Sequence, residues 1–234
     1  RIDAQAGLAA ALPRSPFTRL MVPTGRLRRI GWVPYDLPGS SMCSGHKIGS
    51  KRRMENRKLM ARIPYPNLQG GDGEFQALVE QIKRERGGRV LNLYSMLLNS
   101  PPLAEGWLNL LTSVRYKSSL DGPARELAIC EVASITQADY EWRAHARLAK
   151  QEGCSDEQLA ALPNWRGTQL FDARQQAVLG YAERMTREVQ VDDETFAAVR
   201  RHFNPRQVLE LTVTIGAYNM VSRLLVAMQV DAEA

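Results

Sequence analysis

The chain has 234 residues, with 31 Lys+Arg against 25 Asp+Glu and a formal net charge of +6, a length that suits one core of ordinary size plus an appendage, or two small domains. The positive surplus sits in residues 1–59, which hold 12 basic and 3 acidic side chains, while residues 60–234 hold 19 basic and 22 acidic ones. The organised part therefore lacks the clustered basic face that nucleic acid requires, and no nucleic-acid partner is expected.

No apolar run approaches the roughly 18–20 residues of a membrane span; the longest uncharged stretch near the C-terminus is Leu211 to Ser222. Cys43, Cys130 and Cys154 have neither metal-ligand nor redox spacing, and a sparse, odd count suits a reducing compartment. The expectation is a cytoplasmic protein with no membrane partner, no metal and no cofactor.

Residues 1–59 show no sustained helical or strand period and are broken by Pro13, Pro16, Pro23, Pro34 and Pro38. Such a segment buries too little apolar surface to offset its ordering entropy, so a disordered basic arm is expected. It reads as a transit leader, as a basic tail working through Lys51-Arg52-Arg53 and Arg57-Lys58, or, preferred, as sequence preceding a native start at Met60.

Residues 60–234 are expected to form one all-α domain. Phe75, Leu78, Val79 and Ile82 recur at helical spacing before Gly87-Gly88, and a short helix follows near Val90–Leu98. Pro101-Pro102 opens a third helix, with Leu103, Trp107, Leu110, Leu111 and Val114 on one face. Asp121-Gly122-Pro123 starts a fourth whose Leu127, Ala128, Ile129, Cys130, Val132, Ala133 and Ile135 are apolar nearly all round, the mark of a buried helix.

The fifth runs from near Ala138 to Gly153, and Ser155-x-x-Gln158 is a capping box for a short sixth. Phe171–Val189 is long and amphipathic, and Asp192 or Asp193 caps a segment carrying Phe196, Val199 and Phe203. Asn204-Pro205-Arg206-Gln207 supplies cap, first-turn proline and N3 glutamine for the last helix, with Leu209, Leu211, Val213, Ile215, Met220, Val221, Leu224 and Leu225. Thr212, Thr214, Tyr218 and Asn219 interrupt this apolar stretch, more of it than a small monomer buries, and a homo-oligomer is expected.

Glu141 and His145 are four apart, so on a helix they share a face. A carboxylate beside an imidazole raises its pKa and prepares it for proton transfer. Glu126, on the preceding buried helix, needs a partner, since an unpaired buried carboxylate costs several kcal/mol; His145, Arg125, Arg143 and Lys150 are within sequence reach. Against this stand plainer readings: a solvated Glu–His pair, Tyr140 and Trp142 as packing residues, Cys130 as a small core hydrophobe, and Tyr218 and Asn219 as structural hydrogen-bonding groups.

The spacing Glu126-x11-Ala138-x2-Glu141-x3-His145 resembles the active-site signature of the carboxymuconolactone decarboxylase and alkylhydroperoxidase D superfamily, Glu-x11-Cys-x2-Cys-x3-His, with both cysteines replaced. Met60-Ala61-Arg62-Ile63-Pro64-Tyr65-Pro66, Leu91-Asn92-Leu93-Tyr94, Arg125-Glu126-Leu127-Ala128-Ile129 and Gly216-Ala217-Tyr218-Asn219-Met220 extend the resemblance over 60–234.

The resemblance implies an alkylhydroperoxidase D-like helical fold, a trimer or hexamer, and a pocket lined by Glu126, Tyr140, Glu141, Trp142 and His145. His145, Glu141 and Glu126 would be catalytic, and Tyr140, Trp142, Tyr218 and Asn219 would bind a small-molecule substrate. With no sulfur at Ala138 the dithiol cycle is expected to be absent, and acid/base chemistry on a small organic acid leads: decarboxylation, lactone opening or isomerisation. A residual antioxidant role and a non-catalytic oligomeric scaffold are the alternatives.

Overall fold

In the computed structural model, residues 61–233 are described, and the expectation of a disordered arm at 1–59 lies outside them. They contain nine α-helices: α1 Gly73–Glu85, α2 Asn92–Leu97, α3 Pro101–Thr112, α4 Gly122–Thr136, α5 Asp139–Gln151, α6 Asp156–Ala161, α7 Ala173–Arg187, α8 Asp193–Arg200 and α9 Pro205–Met228. A π-helical turn, Ser113–Lys117, extends α3, and a 3₁₀ turn, Leu162–Gly167, follows α6. Among the described residues there is no strand, and the all-α expectation holds.

The starts are set by side chains that satisfy orphan amides of the first turn. Asp72, Asp121 and Asp192 accept from the backbone N–H three residues on. Ser155 with Gln158, Asp172 with Gln175 and Asn204 with Gln207 form full capping boxes. Of the two aspartates open to capping α8, Asp192 takes the role.

Helix α4 is the axis of the fold. Residues 126–133 are all buried, and α5, α7 and α9 pack around it. Its Ala128, Ile129 and Val132 join Val178, Tyr181, Leu211 and Ile215 in one apolar cluster, while Leu127 and Cys130 join Leu159, Leu162 and Leu179 in another. A third unites α1, α2 and α3 with Ala217, Val221 and Leu225 of α9.

Two sequence expectations are corrected here. On α3 the buried face is Ala104, Leu108 and Leu111; Leu103 is 64% exposed and Leu110 is also exposed. The leucines of this helix form two overlapping stripes one residue apart, and the small Ala104 selects the one that approaches its neighbours most closely.

On α9 most of the polar interruptions lie inside. Thr214, Tyr218 and Asn219 are buried, whereas Leu209, Val213 and Met220 face outward. Thr214 can sit inside because its hydroxyl donates to the Glu210 carbonyl at 2.7 Å. By length and composition alone α9 meets the requirements of a membrane span, which corrects the reading that no run approaches one: the helix continues through Glu210 and Arg223, and its Leu211, Ile215, Val221 and Leu225 lie in the core.

Candidate active site

The site is built where α4 turns into α5. Helix α4 ends at Thr136, Gln137 adopts a left-handed conformation (φ 54°), and α5 begins two residues later. The amides of Gln137 and Ala138 close back onto Ser134 and Ala133, the arrangement that ends a helix cleanly and reverses the chain. Glu126 and His145, nineteen apart in sequence, are thereby brought side to side.

The His145 Nδ1 lies 2.6 Å from Glu126 Oε2, and its Nε2 lies 3.3 Å from Glu141 Oε2. Glu126, Glu141 and His145 are 2%, 3% and 4% exposed. The Tyr218 ring meets the imidazole edge-on, with centroids 4.8 Å apart and planes at 83°. Arg125 Nε donates to Glu126 Oε1 at 3.1 Å; Arg143 pairs with Asp139 and Lys150 with Asp156, so neither of these cations is Glu126's partner.

Burial alone would push the imidazole toward its neutral form, but hydrogen bonds and charges from Glu126 and Glu141 outweigh it, and the His145 pKa is raised. Burial would likewise raise Glu126, yet the bond to His145 and the charges of His145 and Arg125 hold it below the ordinary carboxylate range. The cluster is a buried imidazole with a carboxyl group facing each nitrogen, surroundings that favour the protonated ring.

Sequence reasoning missed Arg115. Its guanidinium lies in the field of Tyr218, Tyr116, Glu126 and Glu141, which together more than offset the lowering effect of burial. It enters from the π-helical turn, and a turn of that kind leaves no periodic signal in the sequence. Burial, opposed by Arg115, pushes the Tyr218 hydroxyl well above the usual tyrosine range.

The remaining expected residues do not converge on this cluster. Tyr140 donates to Glu233 and borders a cavity of about 820 Å³ with Tyr65, Ala138, Arg143 and Val230. Trp142 borders another, of about 340 Å³, with Ala138, Leu159 and Pro163. Asn219 donates to Thr186 Oγ1 at 2.9 Å and joins α9 to α7. The single pocket expected around Glu126, Tyr140, Glu141, Trp142 and His145 is thus replaced by a closed cluster flanked by two cavities that meet at Ala138. Helical geometry explains the difference: residues 140 and 142 leave α5 about 100° to either side of Glu141.

Cys130 and Cys154 are buried and unpaired. Burial first, and then the negative field of Glu126, raises both thiols above the ordinary range, so neither has thiolate character. Among the described residues no group of three or more His, Cys, Asp or Glu is placed to hold a metal ion.

Comparison with known proteins places this geometry. The carboxymuconolactone decarboxylase family model matches residues 101–184, the span that contains Glu126, Glu141 and His145. The uncharacterized protein YnjA of Escherichia coli K12 is 30% identical over 130 residues, covering 55% of this chain and 68% of that protein.

An uncharacterized peroxidase-related protein from Silicibacter sp. TM1040 superposes with a TM-score of 0.64 at 22% identity, covering 77% of this chain and 96% of that one. An alkylhydroperoxidase AhpD core protein from Ralstonia eutropha JMP134 gives 0.63 at 18%, covering 74% and 92%. At these identities the structures speak for the fold, which is the alkylhydroperoxidase D-like helical fold. The sequence matches add descent to it: the chain belongs to the carboxymuconolactone decarboxylase family.

Proposed function

We propose that the protein catalyses acid/base chemistry on a small organic acid, in a decarboxylation, lactone opening or isomerisation, with His145 as the proton donor. The observation that carries this is the unequal double clamp on the imidazole. The short bond to Glu126 fixes Nδ1 and the ring plane, while the longer contact to Glu141 leaves the Nε2 proton the more readily transferred. When CO2 departs, its bonding electron pair stays on the adjacent carbon, and the Nε2 proton adds there. Imidazole is left neutral, and solvent reprotonates it.

The cavities that meet at Ala138 are where a small acid would wait, and opening of the α4–α5 junction would give it access to Nε2. The outward Leu209, Val213 and Met220 of α9 support a homo-oligomer as the working form. An antioxidant dithiol cycle has less support, because Ala138 and Glu141 carry no sulfur and both described thiols are buried.

A second reading has one observation in its favour. Glu126 is bonded to Arg125 as well as to His145, and a closed ion network of this kind also suits a non-catalytic oligomeric scaffold. Turnover screening over small lactones and carboxylic acids, with His145→Ala beside wild type, separates the two. Catalysis requires a folded variant with activity reduced about 100- to 10,000-fold; a wild type inert toward the whole panel, with a variant that is merely less stable, supports the scaffold.

A further inference from the structure

Helix α9 ends at Met228, Gln229 turns left-handed (φ 51°), and the chain doubles back as a short strap over residues 229–233. Val230 anchors the strap in the core, with its N–H donating to the Leu225 carbonyl at 3.0 Å. Beyond Val230 the ties run through side chains. The Tyr65 hydroxyl donates to Asp231 Oδ2 and Asn92 Nδ2 to the Asp231 carbonyl, each at 3.0 Å. Glu233 Oε1 accepts from the Asn92 backbone N–H at 2.7 Å and from the Tyr140 hydroxyl. Of these ties, the one to Tyr140 reaches α5.

The cavity of about 820 Å³ has the α4–α5 junction, Gln137 to Tyr140, on one wall and the strap, Gln229 to Ala232, on another. The Tyr140–Glu233 bond spans from the strap to the first turn of α5, beside Glu141. That turn lacks the side-chain cap that fixes α4, α7 and α9, because Ala138 at its N-cap has no oxygen to accept from the amides. Burial, and then the bond to Glu233, hold the Tyr140 hydroxyl above the ordinary tyrosine range, so it remains a donor.

On the reading of the α4–α5 junction as the way for a small acid to His145 Nε2, we propose that residues 229–233 are a latch on the candidate active site, with the Tyr140–Glu233 hydrogen bond as its catch. While the bond is made, the uncapped first turn of α5 is held to the strap. Its release lets that turn open toward the larger cavity, and Glu141, one residue on from Tyr140, moves with it. The ties of Asp231 to Tyr65 and Asn92 keep the strap in place and have no hold on α5.

The test is amide hydrogen exchange of the full chain, followed by NMR at Trp142, whose N–H donates to the Ala138 carbonyl at 2.9 Å across that first turn. It needs no substrate, so the latch can fail while turnover by His145 stands, or hold where no turnover is found. Glu233→Ala and Tyr140→Phe should each speed Trp142 exchange about tenfold, as for one lost hydrogen bond to a charged group. The double variant should exchange no faster than either alone, since both remove the same bond. Tyr65→Phe, which loosens Asp231 and leaves the catch intact, should not alter Trp142 exchange. Unchanged exchange in Glu233→Ala, additive effects in the double variant, or an equal rise in Tyr65→Phe would each overturn the proposal.

Discussion

Glu126 Oε2 stands 2.6 Å from His145 Nδ1, closer than the 3.3 Å that separates Glu141 Oε2 from Nε2. The two carboxylates therefore do different work on one ring. Glu126, with its second oxygen on Arg125, holds the imidazole by Nδ1, and Glu141 faces Nε2 at the longer distance.

It follows that Glu126→Gln should lower the His145 pKa more than Glu141→Gln does, by about 1–3 pH units for a lost adjacent charge. Titration of the His145 ring by NMR in the three proteins needs no substrate. Equal values in wild type and Glu141→Gln would show that Glu141 does not act on the ring, and the assignment of Nε2 as proton donor would fall.

Stability should depend on pH in a manner fixed by these shifts. The raised His145 pKa gives a contribution complete below its unfolded value of 6.5 and lost as pH rises through the folded value. The lowered Glu126 pKa gives one complete above 4.5 and lost as pH falls through its folded value. Both are in full force between 4.5 and 6.5.

Glu131 acts with the opposite slope: its folded pKa of about 7 against 4.5 unfolded means stability falls as pH rises through that interval. The loss is of order 3 kcal/mol. Glu131→Gln should remove this slope and be more stable than wild type at pH 8; urea midpoints across pH 4–9 would reveal it, and parallel curves would refute it.

No thiol-dependent turnover of organic peroxides is expected. In a Cys43→Ser background, Cys130 and Cys154 should react with a thiol reagent only as the protein unfolds, because both thiols are buried with raised pKa values. Rapid native-state labelling, or a peroxidase rate abolished by Cys130→Ser alone, would place a nucleophile where the geometry provides none.

The face of α3 gives a paired test. Leu108→Ala should cost about 2–5 kcal/mol, as for a fully buried leucine, whereas Leu103→Ala should stay within about 0.5 kcal/mol. Denaturant midpoints in the monomeric range suffice. A large cost at Leu103 that grows with protein concentration would instead place it in a subunit contact.

Much of this was legible in the sequence, for local reasons. Cap residues fix helix starts through bonds spanning three positions, so Asp121, Ser155 and Asn204 announced α4, α6 and α9 directly. The meeting of Glu126 with His145 was legible through a spacing that already encodes one helix, a turn and a second helix. What stayed hidden depends on long-range choices. Which leucine stripe of α3 faces inward is decided by Ala104 against its neighbours, and Arg115 arrives through a turn whose period is neither α nor β. Tyr140 and Trp142, read as substrate platforms, are divided between two cavities because they bracket Glu141 on the helix.

The two-residue connection at Gln137 and Ala138 sets the phase of α5 against α4 as a keyway sets a gear on its shaft. One residue inserted there would advance α5 by about 100°, swinging His145 away from Glu126 and presenting Ala144 in its stead, with no side chain of the cluster altered. The identity of Gln137 can vary as long as its left-handed turn is kept. The count of residues between the helices cannot, and in this fold the meeting of Glu126 with His145 is therefore encoded in a loop length as firmly as in the residues themselves.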